Sequence, residues 1–184
     1  MNKTRNLTFV AMGIVINIVF GTVVSMIKIP LLFLDTIGTV FIAAILGPLY
    51  GALSGGLTNI IQGIINNPKS MPFALVNIAI GLIVGYICKK REFNFQTALI
   101  TGIILAIIAP LIGTPIVIYV FGGITGDGND VIFTWLLTSG KTIFSAAFIP
   151  RITGNILDKI ATCIFVAFLL KRLPKEYKRK QGNI

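Results

Sequence analysis

The sequence predicts an all-α polytopic membrane protein with six transmembrane helices and an extra outer-face helical segment before the last span. Hydrophobic residues make up 55% of the 184 residues, charged residues make up only 12%, and the mean hydropathy is +0.91. Soluble domains are about 45–50% apolar and about 25% charged, so an ordinary soluble fold is excluded. The length suits one integral-membrane domain over residues 1–184. The predicted spans are residues 7–27, 36–46, 49–65, 72–88, 96–121 and 151–170.

The first apolar run, residues 7–27, follows Arg5 and has the length of a spanning helix. About 20 apolar residues cross a bilayer, whereas the apolar core of a cleavable signal peptide is about 7–15 residues long. We therefore expect a retained helix here.

The second apolar stretch, residues 34–65, is too long for a single span. As one helix it would measure about 48 Å, against a hydrocarbon core of about 30 Å. Gly47 and Pro48 stand at its middle and are natural helix breakers. Two shorter helices, residues 36–46 and 49–65, are therefore predicted.

The remaining spans are separated by polar loops. Residues 66–70 form a polar loop before the span at 72–88, and the span at 96–121 follows. A polar, turn-rich stretch then comes before the last clear span, residues 151–170.

The apolar segment 131–149 has two interpretations. A seventh span there would export the strongly basic C-terminal tail, against the positive-inside bias. Either it forms an outer-face or partly inserted helix that packs on the bundle, or it extends the last span at its N-terminal end with a bend at Pro150.

Charge sets the predicted orientation. Sixteen Lys and Arg residues against six Asp and Glu residues give a net charge of +10. Six spans place three basic clusters, and both termini, on the cytoplasmic side. There they would anchor loops beside anionic lipid, so no nucleic acid is needed as a partner. The clusters are Lys3 and Arg5, then Lys89, Lys90 and Arg91, then Lys171, Arg172, Lys175, Lys178, Arg179 and Lys180.

The residue types for catalysis and metal binding are scarce. The chain has no histidine, which removes the commonest general base and zinc ligand. Cys88 and Cys163 are isolated in apolar runs and are expected to be buried structural thiols. An enzyme would need a nucleophile with a base, and Ser139 with Lys141 is the nearest and a poor pairing. We predict a non-enzymatic protein without metal or cofactor.

Polar side chains occur at one depth on three predicted helices. At 1.5 Å per residue, Asn59 and Gln62 lie about 9 Å and about 4–5 Å inside the outer end of the third helix. Asn77 lies about 7–8 Å inside the fourth, and Asn155 and Asp158 lie about 6 and about 10 Å inside the sixth. Hydrogen-bonding groups at one level of the outer third predict a small-molecule site.

Two carboxylates have alternative roles. A carboxylate at the centre of a spanning helix costs about 2.5–3.5 kcal/mol, so Asp158 should face a cavity or a partner. It is either a ligand-binding acid or half of an ion pair with Lys141 or Arg151; Lys159 projects about 100° away and is not the expected partner. Asp35 either caps the second helix or binds the ligand.

Aromatic residues accompany this level. Trp135, the only tryptophan, is either an interface anchor or a stacking wall for a planar ligand. The aromatic residues predicted near the outer face are Phe33, Phe73, Tyr119, Phe121, Phe133 and Trp135.

Small residues recur four apart along three predicted helices. In lipid, such faces let helices approach closely, either inside one protein or against another. The series are Gly13, Asn17, Gly21 and Ser25, then Gly47, Gly51 and Gly55, then Gly81 and Gly85.

Two segments carry a family resemblance. Residues 34–59 read LDTIGTVFIAAILGPLYGALSGGLTN, and residues 72–85 read PFALVNIAIGLIVG. With six predicted helices, they resemble the substrate-binding S component of an energy-coupling factor (ECF) transporter. The likeness covers almost the whole chain and is most specific in the GPLYGA hinge at residues 47–52.

The resemblance implies a function and partners. Such proteins capture a vitamin or related micronutrient outside the cell and associate with a transmembrane coupling protein and two cytoplasmic ATPases. Helix one of the family usually offers an Ala-x-x-x-Ala pair to the coupling protein; here Val15 stands four residues after Ala11, so Ala11 and Gly13 are the docking candidates. The family's ligand site lies near the outer face, in regions that here contain Phe33, Asp35, Asn77, Tyr119, Asn155 and Asp158.

The predicted function is therefore substrate capture for an ECF-type ABC importer, with a thiamine-like nitrogen heterocycle as a suitable ligand. The alternative is a small autonomous secondary carrier or channel, which the few polar side chains in the inner halves disfavour. The predicted substrate-binding residues are Phe33, Asp35, Asn59, Gln62, Asn77, Tyr119, Trp135, Asn155 and Asp158.

Overall fold

The structure, a computed structural model, describes residues 3–27 and 31–174. Within those ranges the chain forms seven α-helices and one 3-10 helix, and no strand. The basic residues Lys175, Lys178, Arg179 and Lys180, predicted to face the cytoplasm, lie outside the described residues. The elements in chain order are α1 (Lys3–Ile27), α2 (Ile37–Leu46), α3 (Pro48–Ile65), the 3-10 helix Pro68–Phe73, α4 (Ala74–Lys90), α5 (Phe95–Phe121), α6 (Asp130–Thr138) and α7 (Ile143–Arg172).

The all-α class is confirmed, and helical residues cover most of each predicted span, although α7 begins at Ile143, eight residues before the predicted 151–170. Four helical stretches are long and apolar enough to cross a membrane. The short helices α2 and α3 meet at Gly47, whose φ of 96° favours glycine, and Pro48 is the first residue of α3. The total of six spans stays a prediction. The four long stretches are Lys3–Ile27, Pro68–Lys90, Phe95–Phe121 and Ile143–Arg172.

The apolar segment 131–149 divides between two helices. Its first half lies in α6, and its second half is the N-terminal extension of α7, which continues through Pro150. The α7 helix begins after Thr142, whose side chain accepts a hydrogen bond from the Ser145 backbone N–H. The segment therefore contains both a separate helix and an N-terminal extension of the last predicted span. The side of the membrane on which α6 lies stays a prediction.

The small-residue faces pack inside the protein. A Cβ atom added to Gly81 would lie 2.3 Å from the carbonyl carbon of Gly51, and one added to Gly85 would lie 2.3 Å from the Pro48 Cα. These distances are too short for any side chain, so α3 and α4 touch backbone to backbone at these glycines.

A buried asparagine ties the first three helices together. The Asn17 side chain of α1 donates hydrogen bonds to the hydroxyls of Thr39 in α2 and Thr58 in α3. Its carbonyl oxygen accepts one from the Gly38 backbone N–H. Asn17 is fully buried, and its polar groups are satisfied entirely within the bundle.

Candidate functional site

A cavity of about 480 Å³ lies at the end of the bundle where α1, α3 and α5 finish. It is enclosed by these helix ends, the segment 31–36, the 3-10 helix and the loop 122–129. The volume falls within the range of about 300–1,000 Å³ typical of small-molecule sites. Polar lining residues include Asp35, Gln62, Asn67, Ser70, Asp127 and Asn129.

The segment 31–36 reaches the cavity because α2 is short. Ten helical residues are about 15 Å long, half of a hydrocarbon core of about 30 Å. The chain before α2 therefore runs non-helically inside the bundle, with positive φ angles at Leu31 (63°) and Leu34 (50°). Such backbone is tolerated at membrane depth only where it is buried in protein or lines a cavity.

Asp158 of α7 holds this segment. Its side chain is fully buried, and its Oδ1 accepts hydrogen bonds from the backbone N–H groups of Phe33 at 3.1 Å and Leu34 at 2.8 Å. Its Oδ2 lies 2.6 Å from the Lys159 Nζ. Asp158 is absent from the cavity lining, so its contacts are those of an anchor for the non-helical backbone.

Lys159 is the ion-pair partner that the sequence analysis did not expect. Adjacent helical residues diverge by about 100°, but the flexible lysine stem brings the ammonium back to Asp158. The expected alternatives, Lys141 and Arg151, are wrong for the described structure, because Arg151 pairs instead with Asp127 at 3.8 Å.

The Lys159 ammonium also pairs with Asp35. Lys159 Nζ lies 3.3 Å from Asp35 Oδ1 and 3.1 Å from Thr36 Oγ1. The N-cap of α2 is Thr36, and no side chain caps the helix, so the capping role for Asp35 is wrong. Asp35 keeps about a third of its side chain exposed and lines the cavity, so it is available to a ligand.

The loop 122–129 supplies the second cavity carboxylate. Asp127 lines the cavity, and the buried Arg151 of α7 lies behind it. Asp130 accepts hydrogen bonds from the backbone N–H groups of Thr125 and Gly126 and fixes the loop. The sequence predicts only a polar, turn-rich connection here, and that polar composition is the signal that the loop faces water or a ligand.

The charged residues in the described lining of the cavity are two carboxylates, Asp35 and Asp127. Each pairs with a cation that lies outside the lining, Asp35 with Lys159 and Asp127 with Arg151. Lys69, in the 3-10 helix, lies between the lining residues Asn67 and Ser70. The charged groups that a ligand would meet in the lining itself are therefore negative.

Gln62 is the other predicted polar residue that reaches the cavity. It is half-buried, and a Cβ atom added to Gly21 would lie 3.3 Å from its Nε2 and 3.2 Å from the Asp35 Cβ. Gly21 thus leaves room for Gln62 and Asp35 to stand side by side in the lining.

Three other predicted site residues form hydrogen bonds inside the bundle. Asn77 of α4 donates a hydrogen bond to Asn59 of α3, and both are buried. Asn155 is buried and donates to the Arg151 carbonyl one turn earlier in α7. The structure therefore brings Phe33, Asp35 and Gln62 together at the cavity and leaves these three asparagines outside its lining.

The aromatic lining differs from the prediction. Tyr119 and Trp135 are 88% and 65% exposed and do not line the cavity. Phe33, Phe73 and Phe121 do, and the Phe73 and Phe121 ring centroids lie 5.9 Å apart. An aromatic wall is present, built from the segment 31–36, the 3-10 helix and the end of α5.

The two predicted docking residues differ in accessibility. Ala11 is exposed on α1. Gly13 is buried, and a Cβ atom there would lie 2.5 Å from Ile42 Cγ1. Another protein therefore cannot reach Gly13 without separating α1 from α2.

Apolar helices around a ligand-sized, polar and aromatic cavity at one end define a membrane-embedded small-molecule binding protein. The chain matches the family described as "ECF transporter, substrate-specific component" over residues 5–170, and it belongs to that family. No curated protein and no solved structure matches the chain. Because it belongs to this family, the chain is a multi-pass membrane protein and a transport subunit that confers substrate specificity. Membership of the family also implies a small-molecule substrate, an ECF coupling protein and ATPases.

Proposed function

We propose that this protein captures a vitamin or related micronutrient of cationic, thiamine-like heterocyclic type in the 480 Å³ cavity. The observation that carries the proposal is that the charged residues of the described lining are two carboxylates, beside an aromatic wall. Asp35 and Asp127 come from separate elements, and each offers a carboxylate to the same space. A positively charged planar ligand is attracted by the carboxylates and can stack on Phe33, Phe73 or Phe121.

The captured ligand would come from outside the cell. The end of the bundle opposite the cavity carries Lys3, Arg5, the cluster Lys89–Arg91 and the pair Lys171 and Arg172, which supports a cytoplasmic position for that end. The cavity then faces outward and both termini face the cytoplasm. Energy for release inside the cell would come from the ATPases through the coupling protein.

The coupling protein would dock on α1. Ala11, Val15, Val19 and Val23 are spaced four apart and are all exposed, so they form one apolar stripe. A stripe with small and β-branched residues suits close packing against another membrane helix. Of the two predicted docking residues, Ala11 and Gly13, Ala11 lies in this stripe.

A binding assay tests the ligand class. Native mass spectrometry of gently purified protein identifies retained cargo, and titration then compares thiamine with neutral and anionic vitamins of similar size. We expect the cationic heterocycle to bind most tightly. Asp35→Asn should weaken it about 10–150-fold, since a hydrogen bond to a charged group contributes about 1.5–3 kcal/mol.

The matched control is Glu92→Gln, which makes the same charge change at the opposite end of the bundle. Preferred binding of an anionic vitamin, or equal binding by Asp35→Asn and the unmodified protein, would refute the ligand class. Proteoliposome uptake with and without the coupling protein and ATPases tests the transport role. Uptake that needs neither would favour an autonomous carrier.

A further inference from the structure

A second cavity, of about 720 Å³, lies at the opposite end of the bundle. It is formed where α2, α4 and α7 end and where α5 begins. Substrate capture in the first cavity does not use it. Its walls and its mouth differ sharply in chemistry, and that difference indicates a ligand class.

The walls of this second cavity are apolar. They include Cys88, Phe93 and Ala167, which are buried members of the main hydrophobic core. Ala44, Ile164 and Phe168 are among the other apolar lining residues. Such walls gain nothing from water or a small ion, whereas a hydrocarbon chain would bury apolar surface against them.

The mouth of the cavity is basic. Arg91 and Lys171 line it. Lys89, Lys90 and Arg172 stand beside them in the same helix ends. Glu92 also lines the cavity and is the single carboxylate within residues 86–95 and 164–174, so these five cations accompany one acid. The mouth therefore attracts a negatively charged group.

Aromatic residues mark this mouth as the level of lipid headgroups. Lys89 Nζ lies 5.3 Å from the Tyr86 ring centroid, and the Arg172 guanidinium lies 4.7 Å from the Phe168 ring centroid. Both aromatic side chains are about half exposed. Tyr86 is the amphipathic member of the two, and tyrosine is a residue type enriched at the membrane–water interface.

We propose that this second cavity binds an anionic phospholipid, with its phosphate beside Arg91 and Lys171 and an acyl chain along Ile164 and Phe168. Basic pockets between transmembrane helices on the cytoplasmic side suit such headgroups. A free anion would leave the apolar walls empty, and a zwitterionic lipid carries no net negative charge to complement the basic mouth.

Native mass spectrometry in a neutral detergent tests the proposal. The probes are phosphatidylglycerol, phosphatidylcholine with the same acyl chains, and inorganic phosphate. We expect one tightly retained phosphatidylglycerol per protein, with phosphatidylcholine bound about tenfold more weakly and phosphate not retained. Equal retention of the two lipids, or retention of phosphate as tight as that of phosphatidylglycerol, overturns the proposal.

Charge-removing variants locate the site. Arg91→Gln and Lys171→Gln should each weaken phosphatidylglycerol binding about fivefold, as expected for one cation near an anionic headgroup. The matched control is Lys90→Gln, one residue from Arg91 but outside the lining, and it should change binding less than twofold. An equal loss in Lys90→Gln would mean diffuse surface attraction and would sink the proposal.

A fourth variant tests the acyl-chain part of the site. Ile164→Trp fills the half-buried wall and leaves both mouth cations in place. It should lower phosphatidylglycerol retention at least fivefold, with an unchanged melting temperature showing that the fold is intact. Full retention in this variant would place the lipid elsewhere and contradict the assignment.

Discussion

The anchoring of the segment 31–36 by Asp158 leads to a quantitative prediction for Asp158→Ala. The substitution removes the acceptor of two partly buried backbone N–H groups and leaves Lys159 with Asp35 as its sole carboxylate partner. Each orphaned donor costs about 1–3 kcal/mol, and breaking a buried ion pair costs about 3–5 kcal/mol, which together give about 5–11 kcal/mol. Because the segment can partly rehydrate through the cavity, we expect the lower part of this range, about 5–7 kcal/mol.

The assay is the free energy of unfolding in detergent, accompanied by the melting temperature. For a chain of this size about 1 kcal/mol corresponds to roughly 2–4 °C, so Asp158→Ala should melt about 10–28 °C lower. Asp127→Asn is the control, since its partly exposed pair with Arg151 at 3.8 Å should contribute at most about 1 kcal/mol.

A double variant separates charge from hydrogen bonding. Asp158→Asn keeps an acceptor for the two N–H groups but points an amide at the Lys159 ammonium. Adding Lys159→Met should recover part of the lost stability, because removing both members of a buried pair costs less than removing one. A change below about 1 kcal/mol in Asp158→Ala, with ligand affinity lost instead, would refute the anchor and identify Asp158 as a ligand contact.

Three further predictions concern packing and orientation. Asn17→Val should lower stability by about 2–4 kcal/mol, measured by the same unfolding assay, because it orphans buried partners in α2 and α3. Gly81→Leu should abolish folded protein on size-exclusion chromatography, because its Cβ alone would lie 2.3 Å from the Gly51 carbonyl carbon; an unchanged elution profile would contradict that packing. In intact cells a membrane-impermeant maleimide should label Lys69→Cys and spare Lys90→Cys, and the reverse would invert the predicted orientation.

The helices were predictable from the sequence because apolar runs and breakers are local signals. The break at Gly47 and Pro48 needed only the mismatch between the length of residues 34–65 and the thickness of a bilayer. The bounds of α1 and α5 follow from the same reasoning. The break within residues 131–149, at Ser139 and Gly140, was harder to predict from the sequence. Both halves of that segment are apolar, and neither contains a strong helix breaker before the turn.

The candidate site was predicted only in part, because depth along a helix does not distinguish a ligand contact from a contact with another helix. Asn59 and Asn77 do lie at one level, and for that reason they bond to each other. Lys159 was missed as the partner of Asp158 because helical angles fix the Cβ direction and not the reach of a long side chain. The contribution of Asp127 depended on a loop folding over the cavity, which no periodicity encodes.

The hydrogen bonds by which α7 holds the segment before α2 limit how the substrate of such a protein can change. The backbone that carries Phe33 is fastened from behind by α7, so altering the fastening would disturb the fold and the pocket together. Ser70 and Asn67 also line the cavity, but they hydrogen-bond within the turn 67–70, where the Asn67 side chain accepts from the Lys69 N–H. Redesign toward a new nutrient should therefore begin at Ser70, where a substitution disturbs this local turn and leaves the contacts of α7 intact.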